Sequence, residues 1–130
     1  MQKIKEQDIV NQIITYLTIK KIFCWRQNTS GIYMARTNSY RPSKARGVAD
    51  ILGILPTGQA LAIEVKRPGA KLDNPYQIEF RDNVIKNNGC YILAYSIDDV
   101  INGISNNAKK TNGCYIVCPI PIKKRIKGGK

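Results

Sequence analysis

Asp50, Glu64 and Lys66 are the side chains whose types and spacing could do chemistry. Asp50 follows Gly47-Val48-Ala49 and opens an apolar run, while Glu64-Val65-Lys66 closes a second run that starts at Ala60. If both runs are strands of one hairpin, alternation puts Glu64 and Lys66 on the same face. Asp50 then stands beside Glu64 from the neighbouring strand. Two carboxylates and an ammonium converging at a sheet edge can hold a divalent cation beside a water molecule, an arrangement suited to phosphodiester hydrolysis. Unpaired charges at the end of an apolar strand are costly, so a charged pair there asks for a partner.

The elements that must position these groups follow from periodicity and punctuation. Ile9, Val10, Ile13, Ile14 and Leu17 recur at helical spacing, predicting an amphipathic helix over 5–19 with Glu6 in its first turn. Residues 22–27 read as a strand, and 26–46 as a long, mobile basic loop. The runs 50–55 and 60–66 flank the turn Pro56-Thr57-Gly58-Gln59 and are almost continuously apolar, which predicts central strands covered on both faces. Asn74 then Pro75 predicts an N-cap and first position for a helix over 75–88, with Ile78, Val84 and Ile85 inward and Gly89 as its stop. A strand over 90–95, a short helix starting at 96–100 and a peripheral strand over 113–118 complete the reading. The order is α-β-β-β-α-β in a single domain over 1–122, followed by a basic, disordered tail over 123–130.

Charge narrows the partner. The 130 residues carry 21 Lys and Arg against 9 Asp and Glu, a net charge of +12. No acid lies between Asp8 and Asp50, nor after Asp99, while basic residues crowd both stretches. Such a balance fits a polyanion, and the tail lacks the amphipathic apolar face of a membrane binder, so nucleic acid is preferred. No apolar run approaches the roughly 20 residues that span a bilayer, and the start has no signal-peptide core, so a cytoplasmic protein is expected. With no histidine in the chain, histidine-dependent nucleases and mixed Cys/His zinc sites are excluded. The four cysteines Cys24, Cys90, Cys114 and Cys118 lack a close CxxC pair and read as buried strand thiols. Gly31-Ile32-Tyr33 has no second Tyr-Ile pair before Tyr91-Ile92, too distant for a GIY-YIG nuclease.

Several short patterns occur together: Glu6 with its apolar helix, Trp25-Arg26-Gln27-Asn28, Gly47-Val48-Ala49-Asp50-Ile51, Glu64-Val65-Lys66-Arg67-Pro68-Gly69, Gln77-x-x-Phe80, and Gly89 before the next strand. Over residues 5–100 the chain resembles the PD-(D/E)XK nuclease superfamily and, more narrowly, stand-alone VRR-NUC proteins of phages and bacteria. Ala49 stands where that pattern usually has proline. The resemblance implies an α/β, restriction-endonuclease-like core with a mixed central sheet flanked by helices. It implies Asp50 and Glu64 as principal ligands of Mg²⁺ or Mn²⁺, hard cations that prefer carboxylate oxygens, with the Val65 carbonyl as a further ligand. Glu6 would complete the acidic cluster, directly or through water. Lys66 resembles the residue that positions or deprotonates the attacking water. Gln77 resembles the polar residue that orients Lys66 or the scissile phosphate. Arg26, Arg36, Lys44, Arg46 and Arg67 are candidates for phosphate contacts.

The expected activity is therefore metal-dependent endonucleolytic cleavage of DNA, with no small-molecule substrate. The resemblance extends this to structure-selective homodimers that cut branched DNA such as four-way (Holliday) junctions, paired sites suiting a two-fold substrate. The apolar stretch 115–122 is a candidate contributor to a dimer interface. A restriction-type nuclease, a single-strand-trimming nuclease and a catalytically idle DNA-binding module are the alternatives.

Overall fold

The computed structural model describes residues 5–27, 32–34, 39–41 and 46–108. Ile9, Val10, Ile13 and Leu17 form the buried stripe of α1 (Glu6–Ile19), and this stripe decides which way the helix faces. Lys21 closes that helix in the left-handed region (φ 61°), its N–H donating to Thr18 O while the Ile22 N–H donates to Leu17 O at 2.9 Å. The closure turns the chain directly into β1 (Phe23–Arg26). After β2 (Ile32–Met34) and β3 (Ser39–Arg41) come β4 (Ile51–Ile54), β5 (Ala60–Val65), α2 (Pro75–Lys86), β6 (Cys90–Ala94) and α3 (Ile97–Ala108).

The sheet runs β1-β4-β5-β6, with β1/β4 and β4/β5 antiparallel and β5/β6 parallel. It is an α/β fold with a mixed four-stranded sheet and, among the described residues, three helices. Alternation along β5 sorts the core in two. Leu61, Ile63 and Val65 face α1 and α3 together with Ile51, Cys90, Ile92 and Ala94. Ala62 faces the other way, in a smaller cluster with Ala49, Tyr91 and Leu93. Each large aliphatic side chain sealed in this way contributes on the order of 1.5–3 kcal/mol. The pairing Ile51↔Ile63 also sets the site: one residue earlier on β4's approach, Asp50 falls opposite Glu64.

Several expectations change. The basic stretch read as one mobile loop contains β2 and β3, paired antiparallel with Tyr33 opposite Tyr40, so the strand count before α2 is five rather than three. β5 is buried along five of its six residues, but β4 is not covered on both faces, since Leu52 is half-buried and Ile54 is 45% exposed. The helix expected to start at 96–100 is there, but runs for twelve residues rather than being short. Asp99 accepts from the Tyr95 N–H at 2.8 Å at its start, and Val100 is buried on its inner face. Asn88 (φ 65°), not Gly89, takes the left-handed position that ends α2, with Asn88 and Gly89 N–H groups donating to Ile85 O and Val84 O. Half-buried Phe80, Val84 and Ile85 carry α2 onto the sheet, while Ile78, buried to a similar degree, is not part of that cluster. Cys90 is buried as expected, whereas Cys24 is half-exposed on an edge strand. The expected strand over 113–118, the tail over 123–130, the stretch 115–122, Cys114 and Cys118 lie outside the described residues. No described helix is long and apolar enough to cross a membrane.

The Asn74 cap is as expected. Its Oδ1 accepts from the Tyr76 N–H at 2.8 Å and the Gln77 N–H at 3.4 Å, and Pro75 occupies the first helical position. Because α2 has no fully buried residue, this cap carries an unusual share of its stability. Asn74→Ala should cost about 1 kcal/mol in urea denaturation, and an unchanged midpoint would show that packing alone holds the helix.

Candidate active site

Three elements meet where β5 ends. β5 supplies Glu64 and, one residue past its end, Lys66; the approach to β4 supplies Asp50, and the first turn of α2 supplies Gln77. Asp50 does not pair with Glu64 directly. Its Oδ2 accepts the Val65 N–H at 2.8 Å, a side chain capping the strand edge that β4 has just left. Gln77 bridges the other two residues: its Nε2 donates to Glu64 Oε2 at 2.9 Å and its Oε1 accepts from Lys66 Nζ at 3.1 Å. Lys66 Nζ lies 3.6 Å from the same Glu64 oxygen. That one amide holds both side chains. Both of its polar atoms are used.

Glu6 arrives from the opposite face of the sheet. Its Oε2 accepts the Arg67 N–H at 3.3 Å, just past the end of β5, and its charge is felt by both Asp50 and Glu64. It stands beside the carboxylate pair rather than within a closed cluster. Among the described residues no three carboxylates or thiols gather closely enough to hold a metal ion by themselves. The acidic core of the site is therefore a pair, Asp50 and Glu64, with Glu6 at its margin.

Burial sets the electrostatics. The Glu64 side chain is only 5% exposed, and loss of water, followed by repulsion from Asp50, pushes its carboxyl up to about 8. Lys66 acts in the opposite sense and does not win. Burial also raises Asp50, against the lowering effect of the Val65 N–H. With both carboxyls ionised, the one nearby ammonium leaves the site short of positive charge. Each carboxylate keeps one oxygen, Asp50 Oδ1 and Glu64 Oε1, that no hydrogen bond among the described residues uses. Hard oxygen donors, a charge deficit and spare lone pairs fit Mg²⁺ or Mn²⁺.

The approach of α2 depends on Gly47. Its φ of 78° is left-handed, and a Cβ there would lie 2.2 Å from Tyr76 O and 2.8 Å from Gln77 N. Only glycine lets the chain before Asp50 lie against the helix turn that carries Gln77. Next to it, Arg46 stacks on the Tyr76 ring at 5.2 Å and donates to the Tyr76 hydroxyl at 3.0 Å. Tyr76 escaped sequence reasoning, because no spacing rule connects residues 46 and 76. Of the other basic candidates, Arg26 bonds to Gln7 on α1, and Arg67 is exposed at the end of the site. Arg36 and Lys44 lie outside the described residues. The described groove on α1, lined by Asn11, Thr15, Tyr16 and Ile19, is remote from this chemistry.

No protein-family model matches this chain, nor does any curated protein. The functional reading accordingly rests on the residues of the site.

Stability should follow the Glu64 proton. Without metal, the folded chain retains that proton up to about pH 8, while the unfolded chain releases it in the ordinary carboxylate range. The folded state binds more protons in that window, so stability falls as pH rises through it, by at most about 1.4 kcal/mol per pH unit. Glu64→Gln should flatten this slope in urea denaturations with a chelator present. An unaltered slope would assign the dependence to other groups.

Proposed function

We propose that this chain is a divalent-metal-dependent DNA endonuclease with a PD-(D/E)XK core of the VRR-NUC type. One observation carries the reading: Asp50 and Glu64 lie opposite each other at the end of β5, with Gln77 joining Glu64 to Lys66. A bound Mg²⁺ or Mn²⁺ would supply Lewis-acid charge to the phosphodiester and make water a better nucleophile. Asp50 and Glu64 would hold that ion, with the Val65 carbonyl as a further ligand and Glu6 adding negative field. Lys66, steadied by Gln77, would orient the attacking water and offset charge on the developing phosphorane. Arg67 and Arg46, both exposed, would contact phosphates flanking the cut. Branched DNA, cut by a homodimer with two such sites, is the substrate that the resemblance favours.

A second reading, a DNA-binding module without catalysis, draws on the lack of a third close carboxylate among the described residues. One panel separates the two: linear, flap and four-way DNA, each with Mg²⁺ and with Mn²⁺. The parent should cut at least one of them, and Asp50→Ala and Lys66→Ala should each lower the rate by about 10²-fold or more. Variants that cut as fast as the parent would remove the site assignment. A parent that binds every DNA and cuts none would leave the binding module. DNA affinity should also fall steeply between low and moderate salt, and a flat dependence would remove the phosphate contacts.

A further inference from the structure

β1 is an edge strand of the sheet, and its aromatic residues are not packed away. The register pairs Phe23 with Ile54 and Trp25 with Leu52, so these four side chains share one sheet face. Asp50 precedes Leu52 by two residues and belongs to that face as well. Phe23 is 64% exposed and Trp25 41%, beside the exposed Ile54. Their rings meet with centroids 5.4 Å apart and planes tilted by 54°. Trp25 is held in place: its Nε1 donates to Gln27 Oε1 at 3.0 Å, and the Gln27 backbone N–H donates to Asp50 O at 2.8 Å. A single residue therefore ties the indole to the Asp50 backbone. Strand rise and strand spacing put the Trp25 and Asp50 backbones about 8 Å apart.

An exposed aromatic pair could meet another protein or a nucleobase. Charge selects between them. The pair sits in the stretch between Asp8 and Asp50 that contains no acid, on a chain with a net charge of +12. A ligand that is polyanionic and also offers flat apolar faces is a nucleic-acid strand with its bases unpaired, since a duplex hides those faces in its own stack. We propose that Phe23 and Trp25 form a stacking platform for unpaired nucleobases of a DNA strand whose backbone passes Asp50 and Glu64. The proposal rests on the nuclease reading of that site and narrows its substrate to DNA with unpaired nucleotides beside the cut.

Trp25 is the single tryptophan of the chain, so its fluorescence reports on this patch alone. With EDTA present to prevent cleavage, an oligothymidylate titrated into the full chain should quench the emission to saturation, and a blunt duplex of equal length should quench far less. Phe23→Ser, at a position too exposed to hold the fold together, should weaken oligothymidylate binding by about 5- to 100-fold and leave duplex binding unchanged. Equal quenching by duplex, or oligothymidylate binding seen by anisotropy without quenching, would overturn the platform. So would a Trp25 emission that shifts with protein concentration in the absence of DNA, which assigns the patch to a second copy of the chain. These readouts need no cleavage. A protein that stacks bases yet never cuts overturns the nuclease reading alone, and one that cuts without quenching overturns the platform alone.

Discussion

Two carboxylates share a nearly dry corner at the end of β5, and the arrangement around them is a response to that cost. Glu64 sits on the central strand of the sheet, where burial and the Asp50 charge both oppose its ionisation. The protein offsets the cost only in part. The Val65 N–H steadies Asp50, while Gln77 and Lys66 steady Glu64. One ammonium at 3.6 Å does not offset two ionised carboxylates, so Glu64 keeps its proton up to about pH 8 and its ionisation leaves a deficit of positive charge. A buried pair kept for stability alone would do better as apolar side chains of similar volume. The deficit makes sense as an electrostatic seat for a cation.

The two helices nearest the site divide the labour unequally. α1 is scaffold: four of its side chains are buried, and it seals the larger cluster together with α3. α2 has no fully buried residue and rests on half-buried Phe80, Val84 and Ile85. Its position is instead fixed at its first turn, by the Asn74 cap, by the close approach of Gly47, and by the Arg46–Tyr76 stack. Each of those contacts lies within three residues of Gln77. A helix held most firmly where it delivers one amide is an instrument for placing that amide.

The parts of this arrangement that could be read from residues alone are those governed by local rules. The α1 stripe follows from the spacing of Ile9, Ile13 and Leu17, and the start of α2 from Asn74-Pro75. The approach of Asp50 to Glu64 follows because one hairpin joins their strands and side chains alternate. Elsewhere local signals were weak or misleading. β2 and β3 are three-residue strands in a stretch rich in Asn, Ser and Arg, which looks like loop at every position except Ile32-Tyr33-Met34. α3 runs through Gly103, Asn106 and Asn107, poor helix formers, because Val100 and Gly103 pack inward and Asn107 bonds to Gln59. The uncovered half of β4 is a tertiary fact: an apolar run looks the same whether or not a helix lies over it. Glu6 shows the limit most clearly, since the sequence locates it on the helix but not beside the Arg67 N–H that donates to its carboxylate.

The two faces of the sheet are covered unequally. One face is closed by α1 and α3 over a continuous aliphatic core. On the other, α2 packs over β6 and the Ala49–Ala62–Tyr91–Leu93 cluster and leaves Phe23, Trp25 and Ile54 open beside β4. Had a helix covered this face completely, Asp50 and Glu64 would be sealed in a core and could reach only a small ligand. Had none covered it, Glu64 would be solvated and Gln77 would have no element to carry it. A half-covered face gives the carboxylates a low-dielectric wall on one side and an open floor on the other. Under the proposed nuclease reading, that geometry suits a substrate that is long, is charged along its backbone and must lie across the sheet rather than enter a pocket.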